Sequence, residues 1–389
     1  MKKTVISGLC IVLSFSLFLC SAVFGEPSTQ VDTEVSTQLV KAKSGILMEA
    51  STGEVLYQWN PDERLQIASV TKTMTMLLIM EALDAGKIHP EDMVTVSENA
   101  ASMGGSQVFL EVGEQMSVDD LLKAIAVASG NDAAVAMAEY IGGTHEAFVE
   151  KMNRRAQELG CTNTHFINCN GLDETAEHYS SARDVAQISR ELLRHEKIFD
   201  YTTIWMDSLR NGQFGLSNTN KLIRFYKGAN GLKTGSTGIA KYCLSATAKR
   251  DNMQLIAVVL CAPTTADRFG SATALLDYGF ANYAVADENT VALQLPAVPV
   301  LGGTEKNLQT EIENLSFIVK KGNQTRIETR LELPESVKAP IEEGEKIGEA
   351  VFLIDGQEAA RKDVLARSAV PRIRLHQMYL NLLRNWISL

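Results

Sequence analysis

Ser69 and Lys72 stand three residues apart at the head of an apolar stretch, Gln66-Ile67-Ala68-Ser69-Val70-Thr71-Lys72-Thr73-Met74-Thr75-Met76-Leu77-Leu78-Ile79-Met80. The stretch reads as a helix over residues 69–85 that stops at Gly86, a residue suited to ending helices. Residues three apart on a helix share a face, about one turn from each other. Lys72 therefore reaches back to the Ser69 hydroxyl. A serine hydroxyl is a poor nucleophile at neutral pH until a base takes its proton. An ammonium is no base, but burial or a neighbouring cation lowers its pKa and frees the lone pair. The plain structural alternative is that Ser69 only caps the helix, because serine is a good N-cap.

Two further constellations follow in order. Ser129-Gly130-Asn131 interrupts a helical pair, and a tight glycine turn can aim both the serine and the asparagine into one cleft. Taken singly it is an ordinary helix cap. Lys233-Thr234-Gly235 then ends a strand and leads into Ser236-Thr237-Gly238. A lysine and a threonine beside a glycine can grip a carboxylate, while the glycine lets a substrate backbone come close. Taken singly it is an ordinary strand exit. The three groups lie about 60 and then about 100 residues apart, and their joint occurrence is far rarer than any one of them.

The elements that must position these groups are legible in outline. Residues 44–59 read as a β-hairpin around Ser51-Thr52-Gly53-Glu54. Helical patterns cover 118–128, 132–140, 145–159 and 182–194. Strand-like runs cover 229–234, 242–250 and 255–260, and a last helix covers about 266–282. Strands at both ends with helices between them predict one sheet built from both ends of the domain, packed on a helical block. From 290 to 370 the composition shifts to Val, Ile, Glu, Pro and Gly in short alternating segments, which predicts a small separate β-domain.

Composition narrows the classes. A chain of 389 residues with 45% hydrophobic and 22% charged residues is long enough for several domains and ordinary for a folded protein. A net charge of −10 argues against a general nucleic-acid binder. Met1-Lys2-Lys3, an apolar run from Val5 to Leu19 and small residues near Ser21 to Pro27 describe a signal peptide over residues 1–25, with Val23-Phe24-Gly25 as a candidate cleavage site and an uncleaved anchor as the alternative. The first mature domain is then 26–285. Cys161, Cys169, Cys243 and Cys261 match no metal or redox spacing, and six scattered His form no ligand cluster, so neither metal nor cofactor is expected. A Cys161–Cys169 bridge stays open in an exported chain. At 372–389, Leu375, Met378, Tyr379, Leu382, Leu383 and Trp386 fall on one helical face, with Arg374, His376, Asn381 and Arg384 elsewhere. This predicts an amphipathic helix that anchors the chain to the outer face of the cytoplasmic membrane; the plain alternative is a helix docked on its own domain.

The chain resembles the low-molecular-mass penicillin-binding serine D-alanyl-D-alanine carboxypeptidases. Ser69-Val70-Thr71-Lys72, Ser129-Gly130-Asn131 and Lys233-Thr234-Gly235 match that family's three motifs in order. The hairpin from Gly45 to Tyr57 and the segment His178-Tyr179-Ser180-Ser181-Ala182-Arg183-Asp184 also look like the family. Within it, the chain is most similar to the sporulation-associated members of Gram-positive spore formers. The resemblance implies the penicillin-binding/β-lactamase α/β fold: an antiparallel sheet flanked by helices, an α-helical subdomain and a C-terminal all-β domain. It implies peptidoglycan stem peptides as substrate and β-lactams as acylating inhibitors. By the same resemblance Ser69 is the nucleophile, Lys72 its base and Ser129 a proton relay. Asn131 holds the peptide backbone, Lys233, Thr234 and Gly235 receive the terminal carboxylate end, and backbone N–H groups of Ser69 and Ser236 form the oxyanion hole. Arg268, a turn or two ahead of Leu275-Leu276-Asp277-Tyr278-Gly279, is a further carboxylate ligand whose plain alternative is a surface arginine. Ser-Gly-Asn departs from the Ser-Asp-Asn of class A β-lactamases, and no Glu-x-x-Leu-Asn occurs between Asn131 and Lys233, which argues against a β-lactamase.

Overall fold

The computed structural model describes residues 38–172, 175–291, 293–323 and 326–379. The leader expected over 1–25 lies outside the described residues, and so do residues 380–389 of the tail. Of that tail, residues 375–379 are helical, with Leu375, Met378 and Tyr379 exposed. No helix among the described residues is long and apolar enough to cross a membrane.

The largest sheet has five strands: β1 (Ser44–Glu49), β2 (Val55–Trp59), β3 (Ala229–Thr237), β4 (Lys241–Arg250) and β5 (Met253–Ala262). Their order is β2-β1-β5-β4-β3, every neighbouring pair antiparallel. The first strand of the chain thus slots between its own hairpin partner and the last strand, as the pattern of the sequence predicts. The two-residue period explains why. On β1, Ile46 and Met48 enter one core while Leu47 enters the other. On β5, Ile256, Val258 and Leu260 join the first core, and Leu255, Ala257 and Val259 the second. A strand covered on both faces needs an unbroken apolar run, and β5 has one.

One face carries helix α6 (Thr265–Asn282); the other carries the helical block. That block contains α1 (Lys72–Asp84), α2 (Val118–Lys123), α3 (Asn131–Gly142), α4 (His145–Glu158) and α5 (Ala182–Leu192). Helix α1 is buried nearly all round, which suits the centre of the block. Thr144, Ser181 and Thr264 cap α4, α5 and α6 by accepting the backbone N–H three residues on. Each such cap contributes about 1 kcal/mol. Two short hairpins, Met93–Thr95 with Gln115–Ser117 and Met206–Leu209 with Phe214–Ser217, have strands too short for their alternation to register in the sequence.

The C-terminal region is all β. A four-stranded sheet runs Thr310–Glu311, Gln357–Ala366, Lys346–Ile354, Ile327–Glu332. Phe317 and Phe352, with ring centroids 5.0 Å apart, lie in its core with Val364. The strand Tyr283–Ala286 follows α6 directly and pairs with Phe317–Lys320.

Candidate active site

Ser69 lies in a 3-10 turn, Ala68–Thr71, that leads straight into α1 at Lys72. It does not cap the helix: neither the turn nor α1 has a side-chain cap. Ala68 holds the left-handed region at φ 48°, costly for a residue with a Cβ. The turn is held from outside instead. Thr71 Oγ1 lies 2.7 Å from His178 Nε2, and Leu65 N donates to Ser180 O at 2.8 Å. Gly171, at φ 79°, presses on the turn so closely that a Cβ there would overlap the Ala68 carbonyl.

Lys72 is fully buried, at 0% exposure. Its Nζ lies 3.0 Å from Ser69 Oγ, 2.5 Å from Asn131 Oδ1 and 2.9 Å from Asn170 O. Burial pushes its pKa down from the usual lysine value to about 7, with Cys169 and then Asp132 pulling the other way. The geometry then settles where the lone pair of a neutral amine points. Asn131 Oδ1 and Asn170 O can only accept, so each takes an N–H. The remaining direction faces the Ser69 hydroxyl. Asn131 is fixed in this orientation because its Nδ2 donates to Gly104 O at 2.7 Å and its backbone N to Ser106 O at 2.7 Å. The next residue, buried Asp132, accepts from Val108 N and Leu110 N and so ties down the same loop.

Ser129 follows a wide helical turn, Ala124–Ala128, that extends α2. Such π turns occur often at functional sites. Ser129 takes φ 64°, ψ 29°, a left-handed conformation that turns the chain into α3. It is buried, and its hydroxyl makes no hydrogen bond among the described residues.

Lys233 is the second fully buried lysine, with Nζ donating to Thr234 O at 3.0 Å. Burial pushes its pKa well below the usual value, and the positive charges of Lys72 and Arg268 add to this. Thr234 Oγ1 donates to Thr219 Oγ1 at 2.7 Å. Gly235 faces the Ser69 turn: a Cβ there would lie 2.7 Å from Ile67 O, 2.8 Å from Ser69 N and 2.9 Å from Val70 N. Ser236 is the first exposed residue past it on β3. Arg268, on α6, is only 7% exposed and is therefore no surface arginine. Its Nη1 lies 3.4 Å from both Gly235 O and Cys243 O, and the guanidinium sits 4.5 Å from the Phe269 ring centroid. Its Nε has no partner among the described residues.

Ser69, Lys72 and Asn131 thus meet directly, Gly235 abuts the Ser69 turn, and Arg268 reaches the Gly235 carbonyl. Two participants escaped sequence reasoning. The Asn170 carbonyl carries no residue-type signal, although Asn168-Cys169-Asn170-Gly171 reads as a turn. Thr219 sits in a loop with nothing to mark it. The bridge left open between Cys161 and Cys169 is absent: both are buried free thiols, as are Cys243 and Cys261. Burial raises the Cys161 and Cys169 pKa values to about 12.

A nucleophilic serine against a buried lysine, beside a sheet-edge Lys-Thr-Gly, defines an acyl-transferring serine enzyme of the penicillin-binding type. The family model described as D-alanyl-D-alanine carboxypeptidase matches residues 31–264, and that described as penicillin-binding protein 5, C-terminal domain, matches 281–372. The chain is 46% identical to D-alanyl-D-alanine carboxypeptidase DacF of Bacillus subtilis, over 94% of each chain. Penicillin-binding protein 5 of Haemophilus influenzae superposes with a TM-score of 0.77 at 33% identity, covering 87% of this chain and 100% of that one. Penicillin-binding protein D2 of Listeria monocytogenes, solved with ampicillin bound, gives a TM-score of 0.58 at 29% identity over 63% of this chain and 99% of its own. The chain belongs to the D-alanyl-D-alanine carboxypeptidase family, as a serine-type enzyme of the low-molecular-mass penicillin-binding group.

Proposed function

We propose that Ser69 attacks the carbonyl between the last two D-alanines of a peptidoglycan stem peptide, with Lys72 as its base. The observation that carries this reading is the arrangement of Ser69, Asn131 and Asn170 around Lys72 Nζ, which leaves the lone pair of a neutral amine facing the Ser69 hydroxyl. As the Ser69 Oγ–carbonyl bond forms, the hydroxyl proton passes to Lys72. Backbone N–H groups of Ser69 and Ser236 receive the charge that develops on the carbonyl oxygen, where such donors act most strongly. Collapse breaks the C–N bond, and Ser129 relays a proton to the departing D-alanine. Water then hydrolyses the acyl-enzyme and regenerates Ser69.

The leaving-group end explains the choice of a terminal residue. Lys233 and Arg268 are both buried, burial disfavours the charge on each, and the Arg268 charge further disfavours that on Lys233. A substrate carboxylate supplies the missing negative charge, and Thr234 adds a hydroxyl donor by turning its O–H from Thr219 to the carboxylate. Asn131 is occupied at both ends of its amide, by Lys72 and by Gly104, so its first task is to hold the base; contact with the peptide backbone is added on top. A β-lactam resembles the acyl-D-alanyl-D-alanine end and acylates the same serine. The test is mass spectrometry after penicillin, run beside D-alanine release from a stem peptide. An adduct on Ser69 together with release supports the reading, and a folded protein with no adduct overturns it.

Gly235→Ala should slow acylation by roughly 10²-fold, because misplacing reacting groups by about 1 Å costs that much. The added methyl would displace the backbone of the Ser69 turn. Penicillin labelling kinetics read this directly, and an unchanged rate would show that β3 and the turn yield to each other freely.

Export by the leader over 1–25, a catalytic region over 26–285, a β spacer over 290–370 and membrane attachment through 372–389 complete the proposal. Deleting residues 372–389 should release the mature protein from membranes while it continues to cleave soluble substrate. Cell fractionation with an activity assay checks this, and a truncated protein that stays in the membrane fraction rules out the tail as the anchor.

A further inference from the structure

The cleft has a direction. Lys233 and Thr234 mark the end for the terminal carboxylate, and Gly235 abuts the nucleophile turn. Whatever precedes the scissile bond must therefore leave past Ser236 and Thr237. β3 is an edge strand of the sheet, so its outer edge has no strand partner among the described residues. An extended peptide on that edge would add a strand. Three extended residues reach about 10 Å, which carries the donor from Ser236 to the turn at Ile239.

A pocket of about 570 Å³ opens at this turn, lined by Ile239, Lys241, Lys41, Lys43, Cys261 and Pro263 among others. The strand register explains why they meet. Thr237 pairs with Lys241, Tyr242 with Ala262, and Ser44 with Leu260, so one end of the sheet gathers the start of β1, the β3–β4 turn and the end of β5. Ile239 and Pro263 are exposed, the former by 52%. Lys41, Lys43 and Lys241 are exposed as well, and none of them forms an ion pair among the described residues. Three unpaired cations around one apolar pocket, on a chain of net charge −10, make a local field that favours anions.

We propose that this pocket is a subsite for the carboxylate-bearing part of the acyl donor upstream of the D-alanyl-D-alanine end. Aliphatic parts of the donor pack on Ile239 and Pro263, and its free carboxylates meet Lys41, Lys43 and Lys241. The proposal rests on the carboxypeptidase reading above.

The test uses the full mature chain and two soluble donor peptides, identical except that the carboxylates upstream of D-alanyl-D-alanine are free in one and amidated in the other. The expected result is a preference in kcat/KM of roughly 5- to 10-fold for the free-carboxylate donor at low salt, carried by KM, as several exposed ion pairs together supply. About 0.5 M salt should erase the preference, since exposed pairs are screened. In the variant Lys41→Gln/Lys43→Gln/Lys241→Gln the ratio should fall to about one, with penicillin labelling reporting that the variant is folded. Release of D-alanine without a preference in the wild type, or a preference that the variant keeps, overturns the subsite alone. Release from neither donor by the wild type overturns the functional reading and the subsite with it.

Discussion

Ser69→Ala will fold, take up no penicillin, and release D-alanine at least roughly 10⁴-fold more slowly than the parent, the scale seen when a nucleophile is removed from a unit that acts together. Folding should survive because the Ser69 side chain caps nothing, and its hydroxyl is bonded only to Lys72 among the described residues. Asn131 and Asn170 remain as partners of the buried amine. If Ser69 were only a helix cap, the outcome would invert: a stability loss of about 1 kcal/mol and little change in turnover. Urea unfolding run beside the activity assay separates the two. Turnover within about tenfold of the parent would remove Ser69 from the mechanism, because a water-only route cannot replace a positioned nucleophile so well.

The second large effect is on pH. Only neutral Lys72 can accept the serine proton, and burial sets its pKa at about 7. Below that value the amine is mostly protonated, and the acylation rate should fall about tenfold for each further pH unit. At pH 5 about one enzyme molecule in a hundred holds the free base, so acylation by penicillin should be about 100-fold slower than its plateau above pH 8. Lys72→Arg should lose at least roughly 10³-fold at every pH, because a guanidinium stays protonated. Labelling rates with a fluorescent penicillin from pH 5 to 9 measure the profile. A flat profile would mean that Lys72 is not the base and that another group takes the proton.

Asn131 shows how positioning is layered in this site. It binds Lys72 with its oxygen and the loop carbonyl of Gly104 with its nitrogen, and its neighbour Asp132 holds Val108 and Leu110 of the same loop. The direction of the amine's lone pair thus depends on a loop that carries no reacting atom.

Much of this was legible from residue types alone. The hairpin over 44–59, the helices after Thr144, Ser181 and Thr264, and the apolar run of β5 follow from turn chemistry, capping and the two-residue period. These signals are local, so a short window of sequence contains them. Ser69, Lys72 and Asn131 were legible as motif members, as were Lys233 and Gly235. Their roles were not. Sequence leaves Ser69 open as an N-cap; the 3-10 turn and its missing cap bond close that reading. Arg268 was open as a surface residue, and packing against Phe269 beside the Gly235 carbonyl buries it. Thr219 and the Asn170 carbonyl had no signature at all. What the sequence by itself determined is the local architecture and the inventory of reacting groups. What only the tertiary structure decided is the setting of Lys72: its partners come from 59 and 98 residues away, and desolvation is a property of everything packed around an amine rather than of its neighbours in the chain.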